Sequence, residues 1–265
     1  MAVLTPRELY ERYAPSLAYI AVESADGERI GSAFHVGEGV FVTARHVVAG
    51  AKIIRVANTS DQRVPDPEGK GMIDGKPGTF RFIPAGEGQV VSGPYFHPDP
   101  AIDVAAIVVK GLEVPSIPLG SHLDDMLNDE AFVLRSVIIM GYPPVPFSRE
   151  PVLIAARAEI NSVIDKYTGR HPHFVISAMP RGGFSGGVCL IEWDFALGII
   201  TESLITRGQA TELGFMAVLT VEPIFECLAH NRILPSIQKE GWDGLWDRDR
   251  SIWGDDIEDL VAEDE

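Results

Sequence analysis

Short apolar segments alternate with turns rich in glycine, proline and polar residues along most of this sequence. One such segment, 40–48, begins as an apolar strand and runs into a turn of small residues. Another, 102–109, is apolar at every position except Asp103. Runs of this length bounded by turn residues are typical of β-strands, so the pattern predicts a chain built mainly of strands.

Sequence patterns typical of α-helices occur near the two ends of this strand-rich part. Thr5 is a typical N-cap, Pro6 suits the first helical position, and Glu8 follows the cap by three residues. These residues predict a short helix at the start of the chain. In the segment 221–233, apolar residues recur at helical spacing and predict a second, closing helix.

Composition limits the class of protein. The chain has 265 residues, of which 46% are hydrophobic, so it can bury the core of one all-β domain without a second globular domain. A net charge of −16 without clusters of lysine and arginine disfavours nucleic acid as a direct ligand. Cys189 and Cys227 give no disulfide framework, and we expect both to be buried as small apolar residues.

The sequence also carries signals of location. No apolar run approaches the roughly 18 residues of a transmembrane helix, so no membrane partner is expected. Residues 1–12 carry charges where a signal peptide needs an apolar core. We therefore expect a cytoplasmic protein.

The most informative stretch is the turn at 181–187, which places Ser185 in a Gly-X-Ser-Gly-Gly sequence. A serine hydroxyl attacks a carbonyl group only with the help of a base and an orienting carboxylate. His46, in a turn that follows an apolar strand, is the candidate base. Asp103 is the candidate carboxylate, because a charge at the mouth of an apolar strand needs a hydrogen-bonding partner. Asp99 competes for this role, but the prolines on both sides of it indicate an exposed loop.

A metal site is not expected. Among the seven histidines, His171 and His173 form the only close pair. The proline between them indicates a loop, and no neighbouring cysteine or carboxylate completes a zinc set. The prediction is a protein that needs neither a metal ion nor an organic cofactor.

The chain order of His46, Asp103 and Ser185 resembles that of the chymotrypsin-like serine peptidases and differs from the orders in subtilisins and α/β-hydrolases. Six segments carry a closer resemblance to the bacterial Deg-type (high-temperature-requirement) peptidases. They are 31–48, 103–107, 137–143, 174–187, 197–203 and 213–218. The resemblance implies two six-stranded antiparallel β-barrels with short terminal helices, an all-β serine endopeptidase, a polypeptide substrate and a prokaryotic source.

The resemblance also implies the role of each residue. His46 takes the proton of Ser185 and returns it to the leaving amine, and Asp103 fixes the tautomer of His46. The backbone N–H groups of Gly183 and Ser185 form the oxyanion hole. No PDZ-like segment follows in this sequence, unlike in many Deg-type enzymes.

By position, Met179 and Leu213 line the first specificity pocket, with Thr201 beside them and Glu202 along the wall. The two apolar residues favour an aliphatic residue at the cleaved position, whereas an inward-pointing Glu202 would favour lysine or arginine. The aliphatic alternative is preferred, and the second stays open.

Two departures from trypsin-type enzymes bear on activation. Phe184 stands where those enzymes have an aspartate that pairs with a newly freed N-terminus, so activation by zymogen cleavage is not expected. The stretch 179–183 is slightly longer than its usual counterpart, which puts constitutive activity in doubt. We expect a latent peptidase that a protein partner or an assembly releases.

The resemblance gives a peptidase domain over 1–235, with barrel one at about 17–115, barrel two at about 130–220 and the closing helix at 221–233. Residues 58–94, rich in proline, glycine and charge, are expected to be an elaborated loop region. The tail is assigned to 236–265.

The tail changes in composition from residue 240 onwards. Residues 240–265 hold eleven acidic residues against two arginines, a net charge of −9. The segment also contains three tryptophans, Trp242, Trp246 and Trp253. A purely solvating acidic segment usually has fewer aromatic residues. The tail therefore either packs on its own domain or docks a partner.

Two other functions remain as alternatives. One is a non-catalytic interaction module that keeps the fold, against which the intact trio of residues argues. The other is hydrolysis of a non-peptide ester with the same machinery.

Overall fold

A computed structural model describes most of the chain. It covers residues 3–25, 27–59, 85–120, 132–165, 171–178, 183–203 and 215–239. Within 60–84 and 202–210, the description is limited to the backbone of short strands.

The first half of the chain folds into a closed antiparallel barrel. The strands in this half of the chain are β1 (Leu17–Ser24), β2 (Gly27–Gly37), β3 (Val40–Thr43), β4 (Lys52–Ala57), β5 (Gln62–Pro65), β6 (Gly71–Ile73), β7 (Lys76–Gly78), β8 (Phe80–Ile83), β9 (Glu87–Phe96) and β10 (Ala105–Lys110). The barrel closes in the order β1-β2-β3-β10-β9-β4, while β5 pairs with β8 and β6 with β7 outside it. Apolar side chains such as Ile20, Phe41 and Ile107 fill its interior.

The second half repeats this architecture. Its strands are β11 (Ser136–Gly141), β12 (Ile154–Asp165), β13 (Pro172–Ile176), β14 (Val188–Ile191), β15 (Phe195–Ser203), β16 (Ile205–Thr206), β17 (Gln209–Ala210) and β18 (Met216–Thr220). The barrel closes in the order β11-β12-β13-β18-β15-β14, and β16 and β17 form a separate two-stranded sheet. Two closed six-stranded antiparallel barrels confirm the fold class expected from the sequence.

One boundary predicted from the sequence is wrong. The region 58–94, expected to be a loop, contains the short paired strands β5–β8, and its residues 87–94 belong to β9, which pairs with both β10 and β4. Glycine and proline in this segment favour a loop locally. Ladder hydrogen bonds on both sides of the strand outweigh that preference, so β9 is one of the six strands that close the barrel.

The N-terminal helix α1 (Pro6–Tyr13) begins at the predicted cap. The Thr5 hydroxyl accepts a hydrogen bond from the Glu8 N–H, and the Glu8 carboxylate accepts one from the Thr5 N–H. The helix docks on the second barrel, where the Tyr13 hydroxyl donates to Asp194 Oδ1 at 2.8 Å. Burial and this hydrogen bond to Asp194 raise the pKa of Tyr13. Helix α1 is thus tied to a turn 181 residues further along the chain.

After the short helix α2 (Arg45–Val48), two helices close the fold, α3 (Glu222–His230) and α4 (Ser236–Lys239). In α4, Gln238 is buried. Its side-chain amide donates to the carbonyl groups of Val36 at 2.6 Å and Ile117 at 2.9 Å and accepts from the Leu119 N–H at 3.0 Å. Residues 236–239, assigned above to the tail, therefore belong to the folded domain. The acidic segment 240–265 lies outside the described residues.

Both cysteines are buried and free, as expected. Burial raises the pKa of the Cys227 thiol to about 12, so the group stays protonated at neutral pH. In the part of the chain that the structure describes, no helix is both long enough and apolar enough to cross a membrane.

Candidate active site

His46 is held at the surface by a short helix with a buried inner face. It is the second residue of α2, whose Val47 and Val48 pack into the core of the first barrel. Glycine at position 31 makes this packing feasible, because a Cβ there would lie 2.5 Å from Val47 Cγ1. The His46 side chain keeps 50% of its surface exposed, which leaves it accessible to a substrate.

Both carboxylate oxygens of Asp103 contact His46. The neighbours Ile102 and Val104 are buried and fix the backbone at the start of β10. Oδ1 accepts the backbone N–H of His46 at 2.9 Å, and Oδ2 lies 2.7 Å from His46 Nδ1. Because an ionised carboxylate only accepts hydrogen bonds, this contact places the imidazole proton on Nδ1 and leaves Nε2 as the acceptor.

Asp99, the competing carboxylate, has a different partner. Its Oδ1 accepts the backbone N–H of Ala101 at 2.8 Å, and its backbone carbonyl accepts from Ile102. Both contacts shape the turn before β10. The structure therefore pairs His46 with Asp103.

Ser185 stands in a tight turn before β14. The Gly187 N–H donates to the Phe184 carbonyl at 2.7 Å, and the Gly186 N–H donates to the Ile200 carbonyl at 2.7 Å. In a trans peptide, the N–H points away from the preceding C=O. The bond between Gly187 and Phe184 therefore also sets the direction of the Ser185 N–H, one of the two groups expected in the oxyanion hole.

The serine turn packs directly on the histidine turn. Gly186 has a φ of +82°, and a Cβ there would lie 2.1 Å from the Ser32 carbonyl oxygen and 3.0 Å from the Ala44 nitrogen. Ser185 is one residue from Gly186, and His46 is two residues from Ala44. Ser185 of the second barrel and the turn that carries His46 in the first barrel thus lie close together where the barrels touch.

Ser32, which the sequence analysis did not single out, links the two barrels at this point. Its hydroxyl donates to the Gly183 carbonyl at 2.6 Å and accepts the Tyr142 N–H at 2.8 Å, and its own N–H donates to the Ser185 carbonyl at 2.9 Å. Gly183 has a φ of +92°, and a Cβ there would lie 2.6 Å from Pro143 Cα. These contacts hold the backbone on both sides of Phe184.

A Ser32→Ala substitution should destabilise the fold by about 1–3 kcal/mol, because it leaves the buried Tyr142 N–H and the partly buried Gly183 carbonyl without their partner. Ser24→Ala is the matched control, since the contact of the Ser24 hydroxyl with the Gly27 carbonyl is exposed, and we expect a change within about 0.5 kcal/mol. Urea unfolding of both variants measures the difference. Equal free energies of unfolding would contradict the role given to Ser32.

The family of the chain follows from a sequence comparison. The profile of the family described as "Trypsin-like peptidase domain" matches residues 31–198. This match includes His46, Asp103 and Ser185 and covers more than half of the chain. The chain belongs to the trypsin-like peptidase domain family. A comparison of this trypsin-like chain with curated proteins gives no match.

Solved structures show the same fold. The HtrA-type protease AlgW with tripeptide is 18% identical, with a TM-score of 0.58 over 86% of this chain and 64% of that chain. The serine endoprotease from Yersinia pestis is 17% identical, with a TM-score of 0.56 over 88% and 68% of the two chains. The active form of the Rv3671c protease from M. tuberculosis is 21% identical, with a TM-score of 0.55 over 86% and 87%. The trypsin-like chain therefore spans about two thirds of the length of the HtrA-type structures.

The expected substrate pocket is described only in part. Thr201 lies in β15 and is buried. Glu202 follows it in β15, and its side chain lies outside the described part. Met179, Leu213 and the oxyanion stretch 179–182 also lie outside the described residues, so the pocket and the resting state of that loop stay predictions.

Phe184 anchors the serine turn through packing. The side chain is buried, and its Cδ1 lies 3.0 Å from the position that a Cβ at Gly141 would take. An apolar side chain needs no charged partner in this position. In this trypsin-like domain, packing of Phe184 therefore helps to hold the turn.

Proposed function

We propose that the protein is a serine endopeptidase that cleaves polypeptides through an acyl-enzyme intermediate. The observation that supports this most strongly is the bidentate contact of Asp103 with His46 beside the Ser185 turn. Family membership supports the same chemistry.

The first half of the proposed reaction forms the acyl-enzyme. Ser185 Oγ attacks the carbonyl carbon of the scissile bond while its proton passes to His46 Nε2. Asp103 stabilises the resulting imidazolium, and the N–H groups of Gly183 and Ser185 stabilise the oxyanion. When the C–N bond breaks, His46 gives its proton to the leaving amine.

The second half releases the product. A water molecule attacks the acyl carbon and transfers a proton to His46, and the Ser185–carbonyl bond breaks as His46 returns that proton to Ser185 Oγ. No bound metal ion or organic cofactor takes part in this proposal.

Labelling with a serine-reactive fluorophosphonate tests the proposal without knowledge of the substrate. Under whichever condition labels the native protein, alone or with a cell extract, we expect one adduct on Ser185, located by mass spectrometry, and no adduct in Ser185→Ala or His46→Ala. An adduct on another serine, or equal labelling of the His46 variant, would contradict the proposal. Comparison of matched amide and ester substrates then separates peptidase from esterase activity.

We further propose that activity is latent at rest and that a protein partner or an assembly releases it through the acidic tail. The reasons are the longer oxyanion stretch 179–183 and the composition of 240–265, with eleven acidic residues and three tryptophans. Basic or neutral polypeptides suit such a segment as partners by charge.

Deletion of 240–265 tests the regulatory role of the tail. If the tail mediates activation, the native chain is labelled faster in the presence of a cell extract, and the deletion variant shows no increase. Full labelling of the native chain alone, with no effect of either the extract or the deletion, would rule out latency. A native chain that stays unlabelled under all conditions would support the non-catalytic alternative.

For substrate preference, we propose an aliphatic residue before the cleaved bond, on the basis of Met179 and Leu213. A library of peptides that vary only at that position distinguishes this from the preference for lysine or arginine that Glu202 would confer.

A further inference from the structure

Three residues that are far apart in the sequence, His97, His171 and Glu226, form a buried cluster separate from His46, Asp103 and Ser185. His97 Nε2 lies 2.7 Å from Glu226 Oε2, and His171 Nε2 lies 3.3 Å from the same oxygen. The nitrogen and oxygen atoms that could bind a metal all lie within 4.8 Å of one another. His97 follows β9 of the first barrel, His171 precedes β13 of the second, and Glu226 is in α3.

This cluster is almost closed to solvent. The side chains of His97, His171 and Glu226 are 2%, 9% and 5% exposed. Both histidines direct Nε2 at the same carboxylate oxygen, so the three side chains converge on one point inside the protein.

We propose that His97, His171 and Glu226 bind one zinc-class divalent metal ion at the contact between the two barrels. Two imidazoles and one carboxylate form a donor set that zinc uses widely, whereas calcium and magnesium prefer oxygen ligands alone. With metal–ligand bonds of about 2.0–2.2 Å, the ligand atoms of a tetrahedral site lie about 3.3–3.5 Å apart. The distance between His171 and Glu226 already has this value.

The distance between His97 and Glu226 is that of a hydrogen bond, so metal binding has two requirements. The two atoms must separate by about 0.7 Å, and both His97 and His171 must present an unprotonated Nε2, with the ring proton on Nδ1. The His97 proton can move to Nδ1 only if the Asp99 N–H, which donates to Nδ1 at 3.1 Å, turns away; the Asp99 carbonyl oxygen, 3.3 Å from Nδ1, can then accept that proton. Histidine ligands of metals usually donate their second N–H to such a carbonyl group.

The cluster is coupled to the His46–Asp103 pair through the backbone of His97. The His97 N–H donates to the carbonyl of Val104, next to Asp103, and the His97 carbonyl accepts from Arg45, next to His46. A metal ion would therefore join both barrels and α3 at one point, and the backbone of its ligand His97 is hydrogen-bonded to the residues next to Asp103 and His46.

Metal binding by the untagged full chain tests the proposal independently of peptidase activity. The protein is stripped with a chelator, incubated with ZnCl₂ and desalted, and its zinc is measured by mass spectrometry. We expect about one zinc per chain for the native protein. We expect Glu226→Gln to weaken zinc binding by more than the roughly 10–100-fold that loss of an outer-shell partner costs. Co²⁺ in place of zinc should give the intense visible absorption of a tetrahedral ion.

Two further variants serve as a control for unspecific zinc binding and as a replacement if Glu226→Gln does not fold. His230→Gln removes an exposed histidine from the same helix and should leave zinc binding unchanged. If Glu226→Gln fails to fold, His171→Asn replaces it, because it removes only the longer of the two contacts. Zinc retention that is equal in the native protein and both cluster variants would overturn the proposal, as would an octahedral Co²⁺ spectrum. The cluster would then be a hydrogen-bonded joint without a metal ion.

Discussion

An Asp103→Asn substitution is expected to slow acylation of Ser185 about 10⁴-fold. The asparagine amide can present an N–H to His46 Nδ1, which favours the tautomer with its proton on Nε2. In that form, Nε2 cannot accept the proton of Ser185. The rate constant for fluorophosphonate labelling measures the effect, under whichever condition labels the native protein.

Asp99→Asn is the matched control for this substitution. The asparagine retains an oxygen that can accept the Ala101 N–H, so the turn should persist and labelling should change less than about twofold. A larger loss from Asp99→Asn than from Asp103→Asn would reverse the assignment of the carboxylate.

A Gly186→Ala substitution should destabilise the fold by about 3–4 kcal/mol, because it adds overpacking to the strain of a positive φ. The new Cβ would lie 2.1 Å from the Ser32 carbonyl oxygen and 2.6 Å from Thr43 Oγ1. These atoms belong to the first barrel, so relief of the clash moves Ser185 away from His46. A shift of about 1 Å can lower the labelling rate about 100-fold.

The Gly50→Ala variant separates the strain of a positive φ from the overpacking by the added Cβ. Gly50 also has a positive φ, +66°, but an added Cβ there meets no atom within 4 Å. We expect a cost of about 1 kcal/mol from backbone strain alone and an unchanged labelling rate. If the two alanine variants unfold at the same urea concentration, the contact between the serine and histidine turns is not the source of the effect.

Short apolar runs between turn residues predict a chain built mainly of strands, and the resemblance to the Deg-type peptidases predicts the double barrel. The local pattern fails at β9, where Gly88, Gly93 and Pro94 favour a loop. What makes this segment a strand is pairing on both edges, with Lys52–Ala57 and with Ala105–Lys110. Such pairing depends on barrel closure and cannot be derived from the residues of the strand itself.

For the site, the sequence points to a residue only where its local neighbourhood is distinctive. Asp103 is the one charge in an apolar run, and Ser185 stands among glycines, whereas Ser32 follows a single glycine and carries no such signal. The pairing of His171 with a carboxylate was missed because Glu226 is 55 residues further along the chain. Only the packing of α3 against both barrels brings the two together. The cytoplasmic location and the prokaryotic source stay predictions.

The three hydrogen bonds of Gln238 define where the chain can be shortened. A truncation after Lys239 keeps the amide that caps the carbonyl groups of Val36 and Ile117 and the N–H of Leu119. A truncation after Pro235 would remove that amide and admit water between β2 and the segment that joins the barrels. Crystallisation of the domain without its acidic segment should therefore start from a chain that ends at residue 239.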